Sequence, residues 1–282
     1  MCSSDLGKCL VEEMGPAEVE PAPPLIPDGE FAREDNQDPG AESETYGIIE
    51  VMVIWSKDAE SEAKGEGSDV QVEIAQAVSM ANTAYANSEV FQRIALVDSY
   101  RTEYYSSGDT STDLYRLTGD DDSYMTEVHT RRYISRADFV ALVAGSFSDG
   151  WAGSGWALEK GNSSFFKYYA FSVMSRSSLF YQTLAHELGH NMGAGHEVDN
   201  PSDPGPQYYS FSSGYHNSSK WYTIMSYSHG GQRIDHFSNP LVFYEGYQTG
   251  KPGVDGNDNA YTLDLNMSMV DNFGESLPMP TV

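Results

Sequence analysis

Residues Thr183 to Asn200 read TLAHELGHNMGAGHEVDN and hold three of the chain's seven histidines, His186, His190 and His196, within eleven positions. On a helix, His186 and His190 stand at i and i+4, so both imidazoles project from one face. That spacing lets two nitrogens reach one zinc ion at about 2.0–2.1 Å. Glu187 is turned about 100° around the axis and can address a water on the metal rather than the metal itself. Gly193 can take φ > 0 and stop the helix, returning the chain so that His196 becomes the third ligand. Three neutral imidazoles leave a fourth position open for water, which marks a catalytic rather than a structural zinc site. Zinc brings the pKa of that water towards about 7 and polarises a carbonyl, and Glu187 can act as general base. The reaction class that uses all these parts is amide hydrolysis. A structural site has no use for Glu187, and a non-catalytic relative that keeps fold and metal is free to lose it; this chain keeps it.

The elements that must position these residues follow from periodicity. The spacing predicts a helix over 179–193, with Leu184, Leu188 and Met192 at four-residue intervals facing a core. GIIEVMVIW (Gly47 to Trp55) predicts a strand, and Asp69 to Ser88 a helix with Asp69 as N-cap. RIALVDSYR reads as a strand, STDLYRLTG and SYMTEVHTRRY as helices, and ADFVALVAG (Ala137 to Gly145) as a buried strand. WALEK and YYAFSVMS supply two further strands. Beyond His196 Gly, Pro, Ser and Tyr dominate, until DNAYTLDLNMSMVDNF (Asp258 to Phe273) predicts a last helix. Alternating strands and helices imply an α/β sheet.

The 282 residues suffice for one large domain or two lobes. A net charge of −26 excludes nucleic acid as a partner and disfavours anionic membranes. It describes a solvated surface or a field that draws cationic substrates or divalent ions. Residues 1–45 carry twelve acids against Lys8 and Arg33 and many prolines, and read as a flexible acidic tail or propeptide remnant. No apolar run approaches the roughly 20 residues of a membrane helix. MCSSDLGKCL is not a signal peptide as written. The protein is therefore expected outside the cell or in the cell envelope, with a leader already removed, the alternative being the cytoplasm. Cys2-Ser-Ser-Asp also fits the start of a cleaved lipoprotein, without a visible lipobox. A monomer is expected, with protein or peptide substrates as its partners.

The string from His186 to His196, with Met225 in YTIMSYS twenty-nine positions after His196, resembles the metzincin clan of zinc metallopeptidases. YGIIEVMVIW, GWALEK, AFSVMS, LAHELGHNMG, TIMSYS, RIDHFSNP and DNAYTLDLN come in the order seen in bacterial reprolysin-like peptidases. They are most similar to the peptidyl-Asp metallopeptidase family. Two features depart from that pattern: cysteines usual near the strand and Met-turn segments are missing, and Glu197, as in astacins, replaces the Asp typical of reprolysins.

The resemblance implies an α/β (α+β) metzincin-type zincin. An upper subdomain of mixed twisted sheet plus helices would span 46–195, and a smaller irregular lower subdomain ending in a helix 196–282. Substrate would lie between them. It implies a zinc endopeptidase; an aminopeptidase or a narrow processing peptidase would use the same chemistry. Met225 would floor the metal. Tyr227 would stabilise an oxyanion; otherwise it packs in the turn with its hydroxyl on a backbone carbonyl. Gly155, Trp156, Ala157 and Leu158 resemble the edge strand that holds substrate, or form a simple core strand. Glu50, Asp138 and Asn272 fall where reprolysins hold a structural Ca2+, or are solvated polar residues. SHGGQRIDHFSNP would wall the pocket after the cut bond. There Arg233 could grip a carboxylate, favouring cleavage on the amino side of Asp or Glu, or it pairs with Asp235 or another surface acid. Cys2 or Cys9 is a candidate zinc-capping thiolate. His129, His216, His229 and His236 read as surface or hydrogen-bonding histidines, with His229 and His236 near the cleft.

Overall fold

The β-branched run Gly47–Trp55 forms strand β2, whose last five residues are all buried. It is flanked in parallel by β3 (Gln92–Arg101) and β4 (Phe139–Ala144). Every residue of β4 is buried, as a strand covered on both faces requires. β6 (Phe171–Ser175) pairs parallel with β4, and β5 (Trp151–Trp156) pairs antiparallel with β6. A further strand, β1 (Lys8–Glu12), pairs antiparallel with β5, giving a mixed sheet of order β1-β5-β6-β4-β2-β3. This is the α/β fold with a mixed sheet that the resemblance implies. The architecture is a computed structural model describing residues 8–12, 47–120, 123–198 and 207–278.

The helix expected from Asp69 is α2 (Val70–Asn87), and the Asp69 carboxylate caps it by accepting the Gln71 N–H at 2.9 Å. Ile74, Ala77, Ala81, Ala84 and Tyr85 form its buried face. Helices α3 (Thr110–Thr118) and α4 (Glu127–Ser135) lie close to their expected ranges. A helix not foreseen in the sequence, α1 (Lys57–Gly65), starts at the Ser56 cap and buries only Ala59 and Ala63. Its sequence, KDAESEAKG, carries too little apolar periodicity to announce it.

WALEK is not a strand. Pairing of β5 stops at Trp156 because the next backbone donors turn to the histidine helix: the Leu158 N–H donates to the His190 carbonyl at 2.9 Å. The helix itself, α5 (Thr183–Asn191), is shorter than 179–193, since a 3-10 turn (Arg176–Tyr181) precedes it. α5 packs on β5, β6 and α2. Leu184, Leu188 and Met192 are buried as expected. Arg176 in that turn forks onto Glu73 of α2 through Nε and Nη2, both at 2.6 Å, and reaches Glu66 at 2.8 Å.

After α5 the structure is built from short pieces: β7 (His216–Asn217), β8 (Trp221–Tyr222) and β9 (Gln232–Arg233) form one small sheet. The last helix, α6 (Asn259–Val270), is capped by Asp258, packs on β2 and β3, and bonds to the segments after α5 through Ser212 and Ser238. No helix among the described residues is long and apolar enough to cross a membrane.

Candidate active site

Helix α5 delivers His186 and His190 from one face, both buried. It ends as its sequence requires. Gly193 has φ +92°, and a Cβ there would come within 2.7 Å of Asn266 Nδ2 and 2.9 Å of Tyr208 Cβ. Glycine is needed for conformation and for space alike. The chain then doubles back. Gly195 is held at both backbone groups by one side chain, Asn259, which accepts its N–H at 3.2 Å and donates to its carbonyl at 3.0 Å. His196 follows, fully buried, and its Nε2 lies 3.2 Å from that of His186 and 3.0 Å from that of His190. The His186–His190 separation is 3.1 Å.

The other ring nitrogens explain this convergence. His186 Nδ1 donates to the Ile224 carbonyl at 2.7 Å and His190 Nδ1 to the Ala194 carbonyl at 3.0 Å. His196 Nδ1 lies 2.9 Å from the Tyr227 hydroxyl. Protonating each ring at Nδ1 leaves three Nε2 lone pairs facing one point. Burial first, then the neighbouring His190 and His196, push the His186 pKa well below the usual histidine value, so the ring stays neutral. Lone pairs this close repel unless a cation lies among them. Ligands of a tetrahedral zinc at 2.0–2.1 Å stand roughly 3.3 Å apart, so the triad fits such an ion.

Glu187 is fully buried, and neither carboxylate oxygen has a hydrogen-bond partner within the protein. Burial raises its pKa well above the ordinary carboxylate value, with Arg233 pulling the other way. An orphaned buried carboxylate is costly; beside three metal-binding imidazoles it is placed for proton transfer. β5 makes room for it. A Cβ on Gly153 would stand 2.7 Å from Glu187 Oε1, and one on Gly155 2.9 Å from Oε2. The alternating glycines in WAGSGW are a signal that sequence reading missed.

Met225 is fully buried beside α5, and a Cβ on Gly189 would fall 2.7 Å from its Sδ. The mid-helix glycine therefore admits the thioether. The Tyr227 hydroxyl meets His196 Nδ1, while its backbone N–H donates to both Glu197 oxygens at 3.1 and 3.0 Å. Gly155 and Trp156 lie in β5, whereas Ala157 and Leu158 lie beyond it; the Leu158 N–H braces α5 and the Ala157 carbonyl accepts from Asn162. Asn191 adds to that brace, donating to the Trp156 carbonyl at 2.7 Å.

Arg233, half-buried on β9, donates to the Tyr181 carbonyl at 2.7 Å and faces the Tyr222 ring. It is within electrostatic reach of His186 and Glu187. Asp235 instead accepts the Gln182 amide at 2.9 Å. Of the suggested calcium residues, Asp138 and Asn272 make hydrogen bonds within the protein. The Asp138 oxygens accept the Glu50 N–H at 2.9 Å and the Gly274 N–H at 3.0 Å, and the Asn272 amide donates to Ser268 and Asp271. Burial raises Asp138 to a pKa of about 6 despite these donors. His129 donates to the Gly119 carbonyl at 3.0 Å, and the His236 ring packs edge-on to Tyr244. Cys2 lies outside the described residues; Cys9 lies in β1.

A sequence profile described as Metallo-peptidase family M12 matches residues 50–238. Two proteins named peptidyl-Asp metalloendopeptidase are similar to the chain. That of Stenotrophomonas maltophilia (strain R551-3) is 32% identical over 216 residues, 74% of this chain and 49% of its own length. That of Xanthomonas campestris pv. campestris is 31% identical over 219 residues, 77% and 50% respectively. The chain thus spans about half the length of these curated relatives. Among solved structures, one described as a chaperone-substrate complex superposes with a TM-score of 0.62 at 19% identity, over 81% of this chain and 35% of that one. Identity that low speaks for the fold alone.

Proposed function

Since the chain belongs to metallo-peptidase family M12, we propose that it is a zinc endopeptidase that cuts peptide bonds on the amino side of Asp or Glu. One observation carries the chemistry: three Nε2 atoms within 3.2 Å of one another, beside a buried carboxylate with both oxygens free. His186, His190 and His196 would hold the metal. When bound, zinc acidifies a water and polarises a carbonyl oxygen. Glu187 takes the proton from the attacking water at a carboxylate oxygen and returns it to the departing amine. Ile224, Ala194 and Tyr227 keep the three rings in one tautomer and orientation throughout. Asn259 and Met225 hold the segments that carry them.

The side-chain preference rests on Arg233. Its guanidinium lies close enough to the centre to influence His186 and Glu187, and burial lowers its own pKa. A carboxylate entering beside it gains a charge-assisted hydrogen bond in a desolvated setting. The relatives' name, peptidyl-Asp metalloendopeptidase, points the same way. The chain's net charge of −26 repels acidic peptides at long range, but salt screens that beyond about 8–10 Å. The test uses matched peptides with Asp or Leu after the cut bond. Wild type is expected to prefer Asp, a chelator to stop both cleavages, and Arg233→Ala to reduce the preference about tenfold or more. Chelator-resistant cleavage would overturn the zinc assignment, and an unchanged Asp/Leu ratio would remove Arg233 from the pocket.

Substrate is expected to extend antiparallel along β5, directly over Glu187. In the structure β1 holds that edge, with Cys9 opposite Gly155 and Leu10 opposite Ser154. A strand edge offers one row of N–H and C=O groups, so β1 and substrate compete for it. Deleting residues 1–45 is therefore expected to lower KM with kcat unchanged, the pattern of a removed competitive inhibitor. Steady-state kinetics on the two chains decide; equal KM values would mean substrate binds elsewhere.

A further inference from the structure

Besides the triad, one other group among the described residues brings three metal-binding side chains together: Glu197, His216 and His229, whose ligand atoms all lie within 4.8 Å of one another. The sequence gives no hint of it, because the three positions share no helix and no short motif. Glu197 follows the third triad histidine, His216 lies on β7, and His229 lies in the loop between Met225 and β9. We propose that they form a second divalent-metal site, distinct from the triad, that fastens the loop carrying Tyr227 and leading to Arg233.

The donor chemistry is specific. Two imidazoles and one carboxylate suit zinc and its neighbours Co2+ and Ni2+ rather than Ca2+ or Mg2+, which prefer all-oxygen shells. Three protein ligands leave a fourth position for water. Glu197 is almost fully buried, and His229 Nε2 already lies 2.8 Å from its Oε1. A buried carboxylate needs a compensating positive charge, which a bound cation supplies more fully than a neutral imidazole. His216 and His229 are only half-buried, so an ion can arrive from solvent and both rings can turn to close the remaining gap. The net charge of −26 raises the local concentration of divalent cations.

The placement gives the site a consequence. Glu197 also accepts the backbone N–H of Tyr227, whose hydroxyl meets His196. An ion on Glu197, His216 and His229 therefore joins the segment after the third triad ligand, strand β7 and the loop after Met225 into one unit. It acts on the wall of the cleft, not on the reacting atoms.

The experiment counts ions. The full chain is stripped with a chelator and titrated with Zn2+ alone, bound metal being measured after equilibrium dialysis. Wild type is expected to saturate at about two zinc ions per chain and His216→Ala/His229→Ala at about one, as is His186→Ala/His190→Ala. His229→Gln, which can still donate to Glu197, guards against misfolding of the double variant. It should weaken one of the two binding steps by more than the roughly 10–100-fold that loss of an outer partner costs. Saturation of wild type at one ion, lost on mutating His186 and His190, would overturn the second site and leave the peptidase reading intact. Two ions retained by both His229→Gln and the His216/His229 double variant, with unchanged affinities, would overturn it equally.

Discussion

Replacing Glu187 with alanine is expected to lower kcat for peptide hydrolysis by at least roughly 10²–10⁴-fold, the range a positioned general base contributes. Zinc content should not change, because Glu187 is not one of the three converging ligands. Stability should change in the opposite direction from activity. The carboxylate is fully buried, has no hydrogen-bond partner in the protein, and has its pKa raised by burial. Folding therefore bears the cost of holding it there, and the metal-free variant should melt at a higher temperature than the metal-free wild type. Kinetics, metal analysis and thermal melting on the same preparations check all three statements. Wild-type rates in the variant would remove Glu187 from the mechanism. Loss of metal would show it to be a ligand instead of a base.

How much of this site was legible depended on whether its parts were local in sequence. The pairing of His186 with His190, the face of Leu184, Leu188 and Met192, and the turn at Gly193 all follow from helical geometry over a few residues. The structure brings them together as read. What holds His196 was not legible. Its anchor, the Asn259 amide on Gly195, comes from 64 positions away, and a lone Asn at the start of a helix carries no mark of that task. Tyr227 stands out by its position two residues after Met225, but its bond to His196 Nδ1 depends on how the chain folds back there. The strand read in WALEK failed for a related reason. Its three apolar residues continue the run of β5, but strand pairing requires a neighbour, and here the backbone donors turn to α5. Nor could composition show that five residues of an acidic, proline-rich tail would add to the sheet at β5. Edge pairing is a backbone property, and the side-chain pattern barely encodes it.

The same distance in sequence hid the contact whose loss should affect stability most. Arg176 and Glu73 are separated by 103 positions, both side chains are about 95% buried, and together they fasten the turn that launches α5 to helix α2. Arg176→Ala leaves Glu73 as an uncompensated buried charge, which is expected to cost about 3–5 kcal/mol and to lower Tm by about 6–20 °C in a domain of this size. Replacing both partners, as Arg176→Met with Glu73→Leu, should recover most of the loss, because an apolar pair strands no charge. The pH dependence separates these cases. Burial opposes ionisation of Glu73, but the fork of Arg176 and a hydrogen bond from Ser68 together outweigh it and hold the carboxyl below its ordinary pKa. A folded pKa below the unfolded one means that the contribution is complete above the unfolded carboxylate range, about 4.3. It is lost as pH falls through the depressed folded value. In Arg176→Ala only the hydrogen bond from Ser68 still opposes burial, the folded pKa is expected above the unfolded one, and the sign reverses: acidification from neutral pH should stabilise the variant while leaving wild type unchanged or weaker. Urea unfolding at pH 7 and pH 5 measures this directly. A variant that loses stability on acidification as the wild type does would show that Ser68 or another donor keeps Glu73 ionised once Arg176 is gone.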